Sequence, residues 1–111
     1  MKIESSQVEN VTVITMEGDI DGKTAGTTQQ TVLPLIPESG RLLLDMSGVP
    51  YMSSAGLRML LLIYRQAQSK HSEVALVGLT EEIKDTMSAT GFLNYFLTAD
   101  DVTSGVRSFS A

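Results

Sequence analysis

A strand, a sharp break and a long helix follow one another between residues 41 and 65, and this stretch constrains the fold more than any other. Residues 42–44 form an apolar run that ends at Asp45, which is typical of a strand buried on both faces of a sheet. Residues 48–50, Gly-Val-Pro, then interrupt regular structure. Beyond them, apolar residues recur at the i, i+3, i+4 and i+7 spacing of a helix, with Ser53 or Ser54 in the capping position. The pattern predicts a buried strand that leads into a helix with two hydroxyls at its start.

This helix carries more apolar surface than one buried face needs. At about 100° per residue, one sector contains Leu57, Leu60, Leu61, Ile63, Tyr64 and Ala67. Met59 and Leu62 fall on the opposite side, among Arg58, Arg65 and Gln66, so we expect both to be partly exposed. Either another segment of the chain covers them, or they belong to a surface that binds a partner.

Strands and helices alternate along the rest of the chain. The first predicted elements are a hairpin of strands 2–7 and 11–16 and a helix over 23–33 that Pro34 stops or kinks. After the central helix and a polar link at 68–71, the sequence predicts strand 73–77 and a helix that is capped by Thr80 and ended by Gly91. Strand 95–97 and a last helix that begins at Thr98 or Asp100 complete the prediction. Residues 108–111 form a predicted tail. We therefore expect an α/β fold: a mostly parallel sheet of about five strands with an N-terminal antiparallel hairpin strand, and about four helices.

The length and composition set the class of protein. A chain of 111 residues fits one domain, residues 1–111, and its 42% hydrophobic content excludes a disordered chain. Its apolar runs are far shorter than the roughly 20 residues of a membrane-spanning helix. The chain opens without a leader pattern and has no cysteine, so we expect a cytoplasmic protein without disulfides, a thiolate metal site or a membrane association.

Several chemistries find no support in the sequence. A net charge of −5 argues against binding of DNA or RNA, which requires a basic face. His71 stands alone in a polar link, so neither a metal site nor a Ser-His-Asp set is expected. Gly18, Gly22 and Gly26 lack the spacing of dinucleotide- and nucleotide-binding loops. We expect no enzymatic activity, no metal and no cofactor.

Residues 45–57, the signature segment below, read Asp-Met-Ser-Gly-Val-Pro-Tyr-Met-Ser-Ser-Ala-Gly-Leu. The segment resembles the signature of STAS-domain anti-sigma-factor antagonists, which is approximately Asp-x-Ser-x-Val-x-Phe/Tyr-Met-Asp-Ser-Ser/Thr-Gly-Leu. The resemblance extends to residues 18–21 with Thr24 and Ala25, which are similar to the family's Gly-Glu-Leu-Asp with Thr-Ala, and to residues 87–92, which resemble its Met-Ser-Gly-Leu segment.

The resemblance implies a site of phosphorylation. In the family, a dedicated kinase phosphorylates the serine that follows the Asp of Met-Asp-Ser, and this serine falls on Ser54. The family's Asp is replaced here by Ser53, a possible rival acceptor, and Ala55 stands where the family often has Ser or Thr. Read from the residues alone, without the family resemblance, the favoured explanation of Ser54 is a helix cap worth about 1 kcal/mol, because a serine before a helix is ordinary.

The resemblance also implies a function. The protein would bind an anti-sigma factor that is also a serine kinase, would be released when that kinase phosphorylates Ser54, and would be reset by a PP2C-like serine phosphatase. It would be a non-enzymatic partner-switching protein, a monomer or weak dimer. Two alternatives stay open: an accessory STAS subunit of a lipid transport ATPase complex, and a module that senses a small ligand.

The predicted topology places the candidate site at one edge of the sheet. Parallel strands joined by a crossover end at the same edge, so the loop of Asp19 and Asp21 should lie beside Ser53 and Ser54. A phosphate there would repel an acidic partner while the helix N-terminus accommodates it. The predicted partner-binding residues are Asp19, Asp21, Met52, Ser53, Ala55, Gly56, Arg58, Met59 and Leu62.

Overall fold

The computed structural model describes residues 1–109; Ser110 and Ala111, the end of the predicted tail, lie outside the described residues. Strands and helices alternate along this part of the chain. The strands are β1 (Lys2–Val8), β2 (Val11–Glu17), β3 (Arg41–Gly48), β4 (Glu73–Val77) and β5 (Leu97–Ala99). The helices are α1 (Ala25–Val32), α2 (Ser54–Ser69), α3 (Glu81–Thr90) and α4 (Val102–Ser108), with short 3₁₀ turns at Leu33–Leu35 and Phe92–Tyr95.

The five strands form one sheet in the order β1-β2-β3-β4-β5, with β1 and β2 antiparallel and all later neighbours parallel. The hairpin turn uses Glu9 and Asn10, whose φ angles of 47° and 70° are both positive, as a tight turn between twisted strands requires. β3 is the central strand, where Leu43 pairs with Val13 on one side and with Ala75 on the other. The predicted α/β architecture is confirmed.

The two faces of the sheet carry cores of different size. On one face, α1, α2 and α3 cover strand residues that include Ile14, Met16, Leu42, Leu44, Met46 and Leu76. On the other face, Val106 and Phe109 of the C-terminal segment cover Val11, Val13, Leu43, Ala75 and Val77. Because neighbouring residues of a strand point to opposite faces, a strand covered on both sides is apolar at every position. This explains the continuous Leu42 to Leu44 run, whose three side chains are all fully buried.

Gly105 lets α4 lie close to the sheet. A Cβ atom at this position would stand 2.6 Å from side-chain carbons of both Leu43 and Val77, which is closer than atoms can pack. The absence of a side chain therefore brings the backbone of α4 against β3 and β4. A larger residue would push the helix away from the smaller of the two cores.

The buried side of α2 differs from the predicted one. The buried residues are Gly56, Met59, Leu60, Ile63 and Ala67. Met59 is only 2% exposed, so the exposure predicted for it is wrong, whereas Leu62 is half-buried as expected. The reason is that α1 packs against α2, and Met59 joins the same core as Ala25 and Val32 of α1. Of the two explanations for apolar residues on this side, cover by another segment holds for Met59.

Two helices have other bounds than the sequence predicts. α1 begins at Ala25 rather than at residue 23 and gives way to the 3₁₀ turn Leu33–Leu35, in which Pro34 stands at a position that needs no backbone N–H. α2 extends to Ser69 and so includes the first half of the predicted polar link. Among residues 1–109, no helix has the length and apolar character that crossing a bilayer requires.

The C-terminal elements are shifted along the chain. The last strand is Leu97–Ala99 instead of 95–97, because the preceding residues form a 3₁₀ turn in which Tyr95 stacks on Tyr64 of α2, with ring centroids 5.1 Å apart. The final helix is capped by Asp101, not by Thr98 or Asp100. The Asp101 carboxylate accepts the backbone N–H of Ser104 at 2.8 Å. Gly91 and Thr80 end and begin α3 as predicted, Gly91 with φ of 80°.

Candidate functional site

The loops that follow β2 and β3 run side by side at one edge of the sheet. The N–H of Ile20 donates to the carbonyl of Tyr51 at 3.0 Å, and the N–H of Ser53 donates to the carbonyl of Ile20 at 2.8 Å. Ile20 and Met52 also form an isolated parallel bridge. The predicted adjacency of the two loops is therefore present, and Ile20 lies between the acidic loop and the start of α2.

The acidic loop alternates between buried and accessible side chains. Ile20 is fully buried, while Asp19 is exposed and Asp21 is half-buried. The Asp21 carboxylate accepts the backbone N–H groups of Lys23 at 2.9 Å and Thr24 at 3.2 Å, so it holds the turn that starts α1. The N–H of Lys23 foremost, and that of Thr24, lower the pKa of Asp21. Asp21 is thus a fixed negative charge at the edge that carries α2.

Several residues of the signature segment have clear structural roles. Asp45 accepts the backbone N–H of Ser47 at 3.1 Å and its hydroxyl at 2.7 Å, which shapes the exit from β3. Val49 is fully buried and Met52 is 8% exposed, and both belong to the larger core. These side chains anchor the loop between β3 and α2 from below.

Gly56 brings the first turn of α2 onto the bridge between the two loops. A Cβ atom at Gly56 would lie 3.0 Å from Cγ2 of Ile20 and closer still to the Met52 side chain. Gly56 and Met52 were both predicted to bind a partner, and the structure places both beneath the surface. Met52 and Gly56 therefore pack beneath the exposed residues at the start of α2.

Ser53 and Ser54 have different environments. Ser53 caps α2: its backbone is extended, and its hydroxyl oxygen accepts the N–H of Ala55 at 3.2 Å. Ser54 is the first residue of α2, its side chain is exposed, and within residues 1–109 its hydroxyl has no hydrogen-bond partner. The explanation of Ser54 as the helix cap is therefore wrong, since Ser53 has that role.

An open groove of about 380 Å³ lies between α1 and α2, just beyond Ser54. Its lining residues are Gln29, Ala55, Arg58, Met59, Leu61, Leu62 and Arg65. Four of them, Ala55, Arg58, Met59 and Leu62, were predicted to bind a partner, and the structure brings them together. Arg58 and Arg65 are exposed, and neither forms an ion pair within the described residues.

The sequence reasoning missed several residues of this surface. Arg65 lies seven positions after Arg58, a spacing that returns to the same side of a helix, so the periodicity could have found it. Tyr51 is 48% exposed in the loop before α2, and an aromatic residue in a signature loop was an available signal. Gln29 comes from α1, and only the tertiary packing of α1 on α2 brings it to the groove.

The site offers a hydroxyl and charged groups. Within residues 1–109, no three His, Cys, Asp or Glu side chains converge in a way that could hold a metal ion. His71 lies away from the site, in a turn with φ of 58°. What the arrangement presents is an exposed Ser54 hydroxyl beside an open groove that Arg58 and Arg65 line.

Comparison with known proteins agrees with this geometry. The family model described as the STAS domain matches residues 2–105. The candidate anti-sigma factor antagonist BtrV of Bordetella bronchiseptica is 24% identical over 110 residues, covering 98% of this chain and 95% of BtrV.

Two solved structures show the same fold at low sequence identity. A candidate anti-sigma factor antagonist of Thermotoga maritima superposes with a TM-score of 0.89 at 16% identity, covering 98% of this chain and 95% of that one. The anti-sigma factor antagonist SpoIIAA in its unphosphorylated form superposes with a TM-score of 0.77 at 14% identity, covering 99% of this chain and 98% of that one. Since the family model spans nearly the whole sequence, the chain belongs to the STAS domain family.

Proposed function

We propose that this protein is an anti-sigma factor antagonist whose binding to its partner is switched off by phosphorylation of Ser54. Unphosphorylated, it binds an anti-sigma factor that is also a serine kinase; the kinase transfers a phosphate from its own ATP to Ser54 and is released. A PP2C-like serine phosphatase then restores the binding form. The similarity to BtrV and to SpoIIAA, whose structure is that of an unphosphorylated form, supports this role.

The observation that carries the proposal is the free hydroxyl of Ser54. Asp45, Val49, Met52, Ser53 and Gly56 each have a role in folding or packing the signature segment. Ser54 has none of these roles, yet it stands exposed at the first position of the longest helix. A serine that the fold does not use, beside a groove, is suited to modification by another protein.

The start of α2 can accept a phosphate without unfolding. Its first turn contains no acidic residue, so the positive end of the helix dipole has no fixed negative charge there. A phosphate adds about −1.5 to −2 charges, which the backbone N–H groups of a helix N-terminus favour. Phosphorylation should therefore preserve the fold and change only the surface.

The same phosphate should oppose the binding of an acidic partner. It would join Asp19 and Asp21, which already make this edge of the sheet negative. A partner that covers the groove would have to desolvate the phosphate as well as meet like charge. Loss of binding with retention of the fold is the expected behaviour of a partner switch.

Ser53 is the less suitable acceptor. Its hydroxyl oxygen is held in the cap by the N–H of Ala55, and its side chain is half-buried. A kinase that acts on Ser53 would first have to draw this hydroxyl out of the cap, whose hydrogen bond is worth about 1 kcal/mol. In this proposal the protein is a binding module and a substrate of the kinase, without catalytic activity of its own.

A pair of baits tests the proposed function. Ser54→Ala and Ser54→Asp proteins are used to capture partners from the native lysate, with Ser5→Asp on β1 as a control for added charge at another exposed serine. We expect Ser54→Ala and Ser5→Asp to retain a serine kinase that Ser54→Asp does not retain.

Other results would contradict the proposal. Equal capture of the same protein by Ser54→Ala and Ser54→Asp would exclude a switch at Ser54. Capture of a membrane ATPase complex by all three baits would support the accessory-subunit alternative. A thermal shift caused by a small molecule, without any captured protein, would support the ligand-sensing alternative.

A further inference from the structure

Ser54 and Arg58 lie one helical turn apart on the exposed surface of α2. Both side chains are exposed, and within the described residues Arg58 forms no ion pair. Ser54 is the first residue of α2 and Arg58 the fifth, so they have the i, i+4 relation that brings two side chains together on a helix. This spacing puts the Arg58 cation within reach of the Ser54 hydroxyl, the group that the kinase modifies in the proposed function.

The order of Ser54 and Arg58 along α2 favours an ion pair between a phosphate and the arginine. Side chains of a helix lean toward its N-terminus, so the long Arg58 side chain can reach over the turn that begins with Ser54. An acid on the N-terminal side of a base at i, i+4 is the more stabilising order. A guanidinium can also donate two parallel hydrogen bonds to a phosphate, which a lysine ammonium cannot do in the same way.

The second arginine of the groove is too far away to take this role. Along the axis, Arg58 lies about 6 Å from Ser54, whereas Arg65 lies about 16 Å from it, at about 1.5 Å per residue. On the neighbouring loop, the charged residues Asp19, Asp21 and Lys23 surround Ile20, whose backbone bonds to Tyr51 and Ser53. Arg65 is therefore a matched control, because it has the same charge, helix and groove but not the same reach.

We propose that Arg58 is the intramolecular counter-ion of a phosphate on Ser54, and that pairing draws its guanidinium out of the groove between α1 and α2. The inference rests on the proposed function in that it takes Ser54 as the acceptor. In the unphosphorylated protein, Arg58 lines the groove together with Leu62 and is available to a carboxylate of a partner. In the phosphorylated protein, the phosphate on Ser54 binds the Arg58 guanidinium, which is then no longer available to the partner. Phosphorylation then does two things at once: it adds negative charge and removes a positive contact.

The pair also predicts that Ser54→Asp imitates the phosphate only in part. An Asp at position 54 has one negative charge and a short side chain, so it should hold Arg58 less firmly than a phosphate does. The phosphate is therefore expected to change the groove more than Ser54→Asp does. The part of this difference that arises from pairing with Arg58 should disappear in Arg58→Gln, whereas the part that arises from the larger charge of the phosphate should remain.

The test measures the second pKa of the phosphate by ³¹P NMR. Phosphoserine is placed at position 54 during synthesis of the full chain, so that the measurement needs no kinase, and the titration is repeated with Arg58→Gln and Arg65→Gln. A neighbouring cation favours the dianion and lowers the phosphate pKa. We expect Arg58→Gln to raise this pKa by roughly 0.2–0.4, as an i, i+4 pair implies. Arg65→Gln should change it by less than about 0.1, because the Debye length at 0.15 M salt is only about 8 Å.

Two results would overturn the inference. An unchanged phosphate pKa in Arg58→Gln would mean that no pair forms, and an equal rise in both variants would mean that only the general charge of the helix matters. Circular dichroism of each variant verifies that the helix is intact. Because the phosphate is installed chemically, the titration does not depend on which serine a kinase modifies. Modification of another serine would refute the proposed function, whereas the titration alone decides whether Arg58 pairs with a phosphate on Ser54.

Discussion

The first turns of α2 and α3 are built alike and charged differently. Each helix is capped by a hydroxyl: Ser53 accepts the N–H of Ala55 at 3.2 Å, and Thr80 accepts the N–H of Ile83 at 3.2 Å. After the cap, α3 continues with Glu81 and Glu82, whereas the first turn of α2 has no acidic residue. The two helices thus share a local design and differ in one property, the charge at the positive end of the dipole.

This difference in charge agrees with the proposed function, in which the start of α2 carries the switch. Glu81 and Glu82 provide α3 with a permanent favourable charge, and Glu81 also pairs with Lys84 at 3.8 Å. In α2, the exposed Ser54 hydroxyl stands where α3 has Glu81, and Arg58 follows one turn later. Phosphorylation of Ser54 would give α2, on demand, the charge that α3 always carries.

The largest expected effect concerns the inner faces of the two helices, which should not differ. Met59 of α2 and Met87 of α3 are both buried, at 2% and 0% exposure. Truncation of either to Ala should lower the free energy of unfolding by about 2–5 kcal/mol, measured by urea denaturation, since each leaves a cavity. A mild Met59→Ala beside a severe Met87→Ala would contradict the burial of Met59.

Leu62→Glu, on the half-buried edge of the groove, should lower the free energy of unfolding by about 1 kcal/mol or less and should weaken partner binding instead.

The next effect compares how a change of charge at the start of α2 and at the start of α3 alters the affinity for the kinase. Ser54→Asp should weaken binding of the captured kinase at least tenfold, about 1.4 kcal/mol, in a titration calorimetry experiment. Glu81→Gln in α3 changes the charge at the equivalent place and should leave the affinity unaltered. Thermal midpoints of both variants should stay close to that of the parent protein. Equal affinities of Ser54→Asp and the parent protein would be incompatible with a charge switch.

A second substitution sharpens the same comparison. In the Ser54→Asp background, Asp21→Asn should recover part of the lost affinity if the partner meets both charges, and the recovery should shrink as salt is added. Asn retains a side-chain oxygen that can hold the turn at the start of α1. The salt series therefore distinguishes repulsion from structural loss, because only repulsion is screened.

A smaller effect tests the caps themselves. Ser53→Ala and Thr80→Ala should each destabilise the protein by about 1 kcal/mol, since each removes the acceptor of an N–H at a helix start. Ser54→Ala should change the free energy of unfolding by no more than about 0.5 kcal/mol, as is usual for a surface position. Chemical denaturation of the three variants measures this. A costly Ser54→Ala would reveal a structural role and weaken the case for modification.

The smallest expected effect concerns two carboxylates that accept backbone N–H groups near helix starts. Asp21 at the start of α1 and Asp101 at the start of α4 have lowered pKa values, foremost because they accept the N–H groups of Lys23 and Ser104, respectively. A carboxyl whose pKa is lower in the folded than in the unfolded chain stabilises the fold above the unfolded value of about 3.9 and loses that contribution as the pH falls through the folded value. The thermal midpoint should therefore decline below about pH 4, and less so in Asp21→Asn with Asp101→Asn. An identical decline of the thermal midpoint in the double variant would exclude these two carboxylates as its source.

Much of the fold follows from local sequence signals. Apolar runs mark the buried strands, and Thr80 and Gly91 mark the ends of α3, because caps and left-handed ends depend on nearby residues only. The adjacency of the Asp19 loop and Ser54 also follows, since parallel strands joined by crossovers end at one edge. These parts of the site could be predicted without knowledge of tertiary contacts.

The remainder depends on contacts between distant segments. A helical projection finds the apolar sides of α2 but not the direction from which α1 approaches, and for that reason Met59 was assigned to the surface. The last strand was placed too early because the stacking of Tyr95 on Tyr64 holds residues 92–95 in a turn. The groove was only partly predicted because Gln29 of α1 forms its other wall.

The position of the phosphate tests the central claim most directly. The protein is incubated with its captured kinase and ATP, and peptide mapping by mass spectrometry locates the modification in the parent chain and in Ser53→Ala and Ser54→Ala. We expect a single phosphate on Ser54, retained in Ser53→Ala and absent from Ser54→Ala. A phosphate on Ser53, or full modification of Ser54→Ala, would contradict it.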